Sequence, residues 1–502
     1  MTERGPAPGA DDADLPEQVR IRREKYDRLM AAGAPPFALG WPRTATIAEV
    51  RERFADLQTD TASGQQVAIA GRVLLSRSGG KLCFATLAEG ESQVQVMISL
   101  DGVGEQRLAA WKADVDLGDF VGVTGEVISS RRGELSVLAT EWALLSKALR
   151  PLPDKHKGLQ DPESRVRQRY LDLAVNPASR QMVRDRAAIT RAVRDTLHDR
   201  GFVELETPTL HPVQGGAAAR RFGTHVNALD LDVTLRIELE LYLKRAVVGG
   251  LDRVFEIGRI YRNEGIDATH FPEFTMLEAY EAYGDYDTMA TLTRDLVLAA
   301  AEAVGRTVVP DGRGGQIDLA APWRQSSLHD LVSAAVGEAV DAGTPKDRLV
   351  ELAGRHDVAL EPAWGAGEIV LELFEKLVEH TLLQPTFVRD YPQSVRPLAR
   401  NHRSDPRLVE AWDLIVAGVE LAPAYSELVD PVEQRRRLVE QSIKAAGGDP
   451  EAMQLDEDFL RALEHGAPPM GGMGMGVDRL VMLLTGQPIR ETILFPLVKP
   501  LS

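Results

Sequence analysis

At 502 residues, with 44% apolar and 26% charged side chains, the chain has the length for two or three domains and the composition of a soluble globular protein. Its single cysteine, Cys83, excludes an internal disulfide and a thiolate zinc cluster; no apolar run approaches a membrane span, and the Gly/Pro/Asp-rich residues 1–14 lack the apolar core of a secretory signal. We therefore expect a cytoplasmic protein with no membrane part, and the net charge of −17 leaves any phosphate binding to local patches.

Residues 19–30 read as an amphipathic helix. Leu15, Val19, Tyr26, Leu29 and Met30 fall near one face, and Arg20, Arg22, Arg23, Lys25 and Arg28 supply positive charge. Alone, these cations fit a solvated face; they fit a nucleic-acid contact if the rest of the chain demands one. A Pro/Gly-bearing connector follows at 33–43, so 1–64 is a helical extension and connector. Short alternating strands then occupy 67–73, 82–87, 94–98, 120–125 and 135–138, separated by turns such as Ser78-Gly79-Gly80 and Arg131-Arg132-Gly133. Five such strands, with a helical break at 105–114, predict a small OB-type barrel over 65–148. Residues 149–165 are Pro- and charge-rich and read as a hinge. A helix at 182–200 carries Met182, Ile189, Val193 and Leu197 on one face and leads into a strand at 202–206, stopped by Thr207-Pro208. Strands and helices alternate to the end of a second domain, 166–502.

The segment 255–280 is the most informative. It predicts a strand, a polar turn at Gly265 and a returning strand that alternates Phe274, Met276, Glu278 and Tyr280 onto one face. A lone glutamate on such a face is more often partly exposed than functional. Arg262, Glu264, His270, Phe274 and Glu278 within one hairpin are harder to dismiss. This hairpin resembles motif 2 of the class II aminoacyl-tRNA synthetases in the lysyl form. The run from Gly472 to Leu480, where small residues lead into a helix presenting Arg479, resembles motif 3. Residues 202–208 with their preceding helix resemble motif 1, which builds the dimer interface in that family. The resemblance covers essentially the whole chain, barrel included.

It implies an α+β protein: an N-terminal OB-fold β-barrel that reads an anticodon, followed by a catalytic domain on an antiparallel sheet, assembled as a homodimer. The implied reaction is ATP-dependent activation of lysine and its transfer to tRNA(Lys), with Mg2+. Such chemistry needs positioning and charge stabilisation rather than a covalent protein intermediate, and arginine forks suit phosphate and carboxylate together. By the resemblance, Arg262 clamps the α-phosphate and the amino-acid carboxylate. Arg479 and Phe274 stack on the two faces of adenine, Glu264 lies on the adenine side and His270 reaches the terminal phosphate. Asp413 and Glu420 are the metal carboxylates. Glu240 faces the α-amino group, Tyr280 and Glu427 hold the side-chain ammonium, Glu278 shares this site and Gly216 leaves room for substrate beside the backbone. In the barrel, Phe84 is either core or the platform that stacks an anticodon base, and Gln95 and Glu134 match positions that read uridine edges. Arg72 and Arg77 are candidates for the RNA backbone.

The chain departs from the family pattern at several positions. Glu238-Leu239 stands before Glu240 where a small residue and proline are usual, Pro423 replaces an asparagine, Asp413 is one methylene shorter than the usual glutamate, Phe271 replaces a polar residue and Arg221 a proline. These departures leave room for an accessory copy that uses a lysine analogue and for a degenerate RNA-binding paralogue; the run 489–496 resembles an actinobacterial-type subgroup fused to a lipid-lysylating membrane enzyme, which leaves room for a copy that supplies lysyl-tRNA for membrane-lipid lysylation.

Overall fold

The computed structural model describes residues 16–153, 159–213, 219–446 and 455–500, and the chain divides into two compact units, residues 1–179 and 180–502. In the first, α1 (Glu17–Ala31) and α2 (Ile47–Arg53) precede β1 (Thr61–Ser78), β2 (Leu82–Glu89), β3 (Ser92–Ser99), α3 (Leu100–Asp114), β4 (Phe120–Ser129) and β5 (Leu135–Ser146). The strands close into a barrel in the order β1-β2-β3-β5-β4, the OB-type architecture expected from the five-strand pattern. Period two decides which side chains fill it. Cys83, Ala85 and Leu87 of β2 and Val94, Val96 and Ile98 of β3 are buried inside, while Phe84 and Gln95 between them are only half-buried. Trp111 of α3 meets Trp142 edge-on, with ring centroids 5.1 Å apart.

The basic side of α1 proves to be partly an internal contact. Arg22 is buried and donates to the Leu117 and Ala148 carbonyls at 2.8 and 2.7 Å, Lys25 pairs with Asp116 at 2.7 Å, and Arg28 pairs with Asp114. Cations on a helix read as solvated because sequence does not show which acids the fold brings opposite them. Leu15 lies outside the described residues. Two short helices, α4 (Pro162–Arg167) and α5 (Arg169–Val175), complete the unit; α4 begins inside the segment expected to be a hinge.

The second unit holds most of α6 (Pro177–Asp199), whose Met182, Ile189, Val193 and Leu197 are buried as the helical period predicts. The strand expected at 202–206 is paired only over Val203–Glu204 (β6). A small sheet of β7 (Leu210–His211), β8 (Gly223–Val226) and β9 (Leu231–Leu235) follows, then α7 (Glu240–Val248) and the hairpin of β10 (Arg253–Tyr261) and β11 (Glu273–Ala282). After α8 (Tyr286–Ala303) come β12 (Val308–Pro310), β13 (Gln316–Asp318), β14 (Arg324–Ser327), and the helices α9 (Leu328–Val336), α10 (Lys346–Arg355) and α11 (Ala366–Leu377). The chain ends through β15 (Thr386–Pro392), β16 (Leu408–Val416), β17 (Val419–Ser426), α12 (Pro431–Ala446), α13 (Glu457–Glu464), β18 (Met470–Gly476), α14 (Val477–Thr485) and α15 (Ile489–Thr492).

The main sheet has eight strands in the order β14-β15-β16-β17-β18-β11-β10-β6, antiparallel except at its two edge pairs. One face is packed by α6, α8 and α14 around Leu277, Ala279, Trp412, Leu414, Met473 and Met475. Alternation sends the intervening residues to the other face: Phe274, Met276, Glu278 and Tyr280 on β11, Gly472 and Gly474 on β18, Pro423 and Tyr425 on β17, Asp413 on β16. Strand register aligns them, with Glu278 opposite Gly474, Tyr280 opposite Gly472, and Pro423 opposite Asp413. Gly472 is required by this packing, since a Cβ there would run into the Glu427 carboxylate and the Tyr280 ring.

Candidate active site

At one end of the open sheet face lies a cavity of about 280 Å3 lined by Arg262, Glu264, His270, Phe274, Glu420 and Arg479, among others. Residues spread over more than 200 positions of sequence thus meet where a nucleotide was expected. Arg262 donates from Nε to the Ile237 carbonyl at 3.3 Å, and its guanidinium lies 5.5 Å from the centre of the Phe274 ring. Glu264 accepts from the Arg220 backbone N–H at 3.4 Å. His270 has Nδ1 2.8 Å from Asp267, whose carboxyl is held well below the usual range by the Thr269 N–H and by His270 itself. With the ring proton assigned to Nδ1, Nε2 accepts from Arg479 at 3.2 Å.

Arg479 is carried on the first turn of α14 and also donates to the Glu420 carbonyl at 2.6 Å. Its neighbour Asp478 does the anchoring: buried, it accepts from the Thr275 N–H and from Arg186, both at 2.6 Å, tying α14 to β11 and α6. Asp478 lies within the run from Gly472 to Leu480, and its place beside the presented arginine is the sequence signal for this role.

Next to this cavity along the sheet, Glu240, Glu278, Tyr280 and Glu427 come together. Tyr280 donates to Glu278 at 3.0 Å, and Glu278 also accepts from the Leu239 N–H at 3.1 Å. Gly216 lies outside the described residues. Two further residues belong here. Glu238, flagged in the sequence only as a departure, is a buried acid accepting from the Leu241 N–H at 3.1 Å. Lys244, which sequence reading missed, is 1% exposed; its ammonium is 2.5 Å from Glu240 and in an ion pair with Glu427. The i, i+4 spacing from Glu240 was a signal for half of that bridge. The Glu427 oxygen away from Lys244 is buried without a hydrogen-bond partner and keeps acceptor capacity.

Four buried carboxyls around one lysine leave an excess of negative charge, and burial makes it costly. Burial, followed by the charge of Glu240, pushes Glu278 up to about 7. Burial pushes Glu427 up to about 8 although Lys244 pulls it down, and burial with Glu278 and Glu240 raises Glu238 well above the carboxylate range. The pocket is built to receive positive charge.

The two expected metal carboxylates differ. The Glu420 side chain is 40% exposed and lines the cavity. Asp413 is 4% exposed; its Oδ2 accepts from Arg396 at 2.6 Å, and its Oδ1 is buried without a hydrogen-bond partner. A shared magnesium ion needs an oxygen from each side chain at about 2.0–2.1 Å. Glu420 opens toward the cavity, and the unpartnered Oδ1 is the Asp413 oxygen left for such a cation.

In the first unit, Phe84, Gln95 and Glu134 line a single groove of about 740 Å3 together with Arg77, Arg131 and Arg132. Phe84 faces this groove, not the barrel core, and Gln95 donates to Ser136 at 2.8 Å. Arg72 is turned elsewhere: it donates to the Gly118 carbonyl at 3.2 Å and lies 4.3 Å from the Phe120 ring centre.

Comparison with known proteins agrees with this arrangement. The family of class II tRNA synthetases (D, K and N) matches residues 161–499, and the OB-fold nucleic acid binding domain matches 67–145. The lysine–tRNA ligase of Kineococcus radiotolerans is 55% identical over 98% of this chain and 99% of its own length. That of Mycobacterium tuberculosis (strain H37Ra) is 54% identical over 98% and 99%. The lysylphosphatidylglycerol biosynthesis bifunctional protein LysX of Nocardia farcinica is 51% identical over 97% of this chain, which spans 43% of that longer protein. No helix among the described residues is long and apolar enough to cross a membrane. The chain belongs to the class II tRNA synthetases, in the lysine–tRNA ligase family.

Proposed function

We propose that the chain activates L-lysine with ATP to lysyl-adenylate and transfers the lysyl group to tRNA(Lys). The observation that carries this reading is the adjacency, on one sheet face, of an arginine-lined cavity and an acid-lined pocket. A lysine carboxylate oxygen attacks the α-phosphorus, pyrophosphate leaves, and a ribose hydroxyl of the tRNA end then takes the lysyl group and releases AMP. Arg262, between the two sites, orients attacking carboxylate and α-phosphate, where a planar fork serves both. Phe274 and Arg479 supply stacking surfaces for adenine, Glu264 lies on the adenine side and His270 faces the terminal phosphate. Glu240 takes the α-ammonium; Glu427, Tyr280 and Glu278 form the end that meets the side-chain ammonium. Magnesium neutralises phosphate charge in such reactions, and Glu420 with the unpartnered Oδ1 of Asp413 would hold it here. Pyrophosphate exchange across the twenty amino acids plus ornithine and β-lysine tests the reading. Exchange with lysine is expected, and silence with every amino acid, with and without tRNA, would overturn it. The accessory reading has weaker support, since the full-length relatives carry the name lysine–tRNA ligase.

The pocket acids make binding proton-linked. Glu278 and Glu427 have folded pKa values of about 7 and about 8 against an ordinary 4.5, so the stability tied to their protonated forms is present below 4.5 and lost as pH rises through those values. Lysine brings cations that favour the ionised forms. Its thermal stabilisation of the protein should therefore grow between about pH 6 and about pH 8.5. Differential scanning fluorimetry with lysine, and with neutral norleucine as control, checks this; a lysine shift that shrinks with pH would contradict it.

In the barrel, Phe84 is the stacking platform for an anticodon base, with Gln95 and Glu134 beside it to read base edges. Phe84→Ala should raise the KM for tRNA by roughly 10- to 100-fold, the loss of one base–aromatic stack, while leaving lysine-dependent pyrophosphate exchange unchanged. Aminoacylation kinetics measure both, and equal loss in both would count against the assignment. A homodimer in the cytoplasm completes the proposal. It is supported by Val203, by Leu210 and Leu231 of the small sheet and by Leu229 in its β8–β9 turn, all 40% exposed or more, and sedimentation equilibrium tests it.

A further inference from the structure

Glu240 opens α7, and the backbone on either side of it is held by carboxyls of the same pocket. On one side the Leu239 N–H donates to Glu278 at 3.1 Å; on the other the Leu241 N–H donates to Glu238, also at 3.1 Å. Glu238, Leu239 and Glu240 are all buried. The first intrahelical bond of α7 runs from the Leu243 N–H to the Leu239 carbonyl at 3.2 Å, so the N–H groups ahead of it need partners from outside the helix. Leu239 has no polar side chain to offer, and Glu238 reaches past it to the Leu241 N–H. This is also the turn where the chain departs from the usual small residue and proline. A proline ring at 239 would fix φ but would bring no N–H. Here two hydrogen bonds supply the restraint that a ring would give.

We propose that Glu238 is a positioning residue for the amino-acid site: its carboxyl holds the Leu241 N–H, sets the first turn of α7, and so aims Glu240 at the α-ammonium of the substrate. The inference rests on the lysine-site reading above and adds a residue to it. Glu238 acts through Glu240 and touches no reacting atom. Burial, followed by the charges of Glu278 and Glu240, raises Glu238 well above the carboxylate range, so the acceptor is an oxygen of a neutral acid. A glutamine amide reproduces that acceptor and a methionine does not.

The test is lysine-dependent pyrophosphate exchange with the full chain, with 6-aminohexanoate as a competitive inhibitor. That compound carries the carboxylate and side-chain ammonium of lysine but has no α-ammonium. Glu238→Met, which keeps the volume and removes the acceptor, should raise the KM for lysine at least about fivefold. It should change the Ki of 6-aminohexanoate and the KM for ATP less than about twofold. Glu238→Gln should recover a KM for lysine within about twofold of the unaltered protein. Circular dichroism checks that each variant is folded, and Glu238→Ala replaces Glu238→Met if that variant is not. An unchanged KM for lysine in the folded variant, an equal loss for 6-aminohexanoate, or a Glu238→Gln as impaired as Glu238→Met would overturn the inference while leaving the lysine site standing. Absence of lysine-dependent exchange in the unaltered protein would instead remove the lysine-site reading, and the inference with it.

Discussion

Arg262→Lys should lower lysine-dependent pyrophosphate exchange by about two to three orders of magnitude, with the loss in kcat larger than any rise in the KM for lysine. Arg262 is the side chain that lies between the two sites. Its Nε is held by the Ile237 carbonyl at 3.3 Å and its plane is flanked by Phe274 at 5.5 Å, which leaves the outer edge of the fork for ligand. A lysine at this position keeps the charge and loses the plane, so it meets carboxylate or phosphate as a point and cannot hold both in line. Binding of lysine through its ammonium groups would survive, which is why the deficit belongs in kcat. Steady-state exchange over a range of lysine concentrations separates the two parameters; a loss under tenfold would remove Arg262 from the reacting centre.

Lys244→Met should have the second large effect, on stability and on substrate affinity together. The substitution keeps most of the side-chain volume and removes the cation that bridges Glu240 and Glu427. Breaking a buried pair by deleting one partner costs about 3–5 kcal/mol, and urea unfolding reads that loss directly. The folded variant should also show a KM for lysine raised at least about tenfold at pH 7. Glu427 already stands at about 8 with Lys244 beside it, and without that charge it is pushed further toward the protonated form, which cannot pair with a substrate ammonium. The deficit should shrink as pH rises toward about 9, where the carboxyl ionises again. A KM that is unchanged, or a deficit indifferent to pH, would show that Lys244 serves the helix and not the pocket.

What the sequence disclosed and what it hid separate along a physical line. Period-two alternation placed Phe274, Met276, Glu278 and Tyr280 on one face of β11, and the five strands and their helical break disclosed the barrel, because both patterns are local and the burial they imply is strong. The three motifs carried the family. Hidden were the pairings that the fold makes across long gaps. Lys244 reaches Glu427, 183 positions later, Asp478 reaches Arg186, and Arg22 finds the Leu117 and Ala148 carbonyls. A charged residue in a sequence reads as solvated until the opposing strand is known. The strand expected at 202–206 is shorter for a related reason: Val203 and Glu204 are in register with β10 at the sheet edge, and the Leu205 N–H makes the last bond to it, at 2.8 Å to the Phe255 carbonyl.

The glycines of β18 have a consequence for substrate choice. At Gly472 the wall between Tyr280 and Glu427 is main chain held in a sheet, so no rotamer change can move that wall. In the proposed lysine site it sets one side of the path from Arg262 to Glu427. Ornithine, one carbon short, would leave its ammonium unpaired before Glu427 there, and is expected to bind more weakly than lysine.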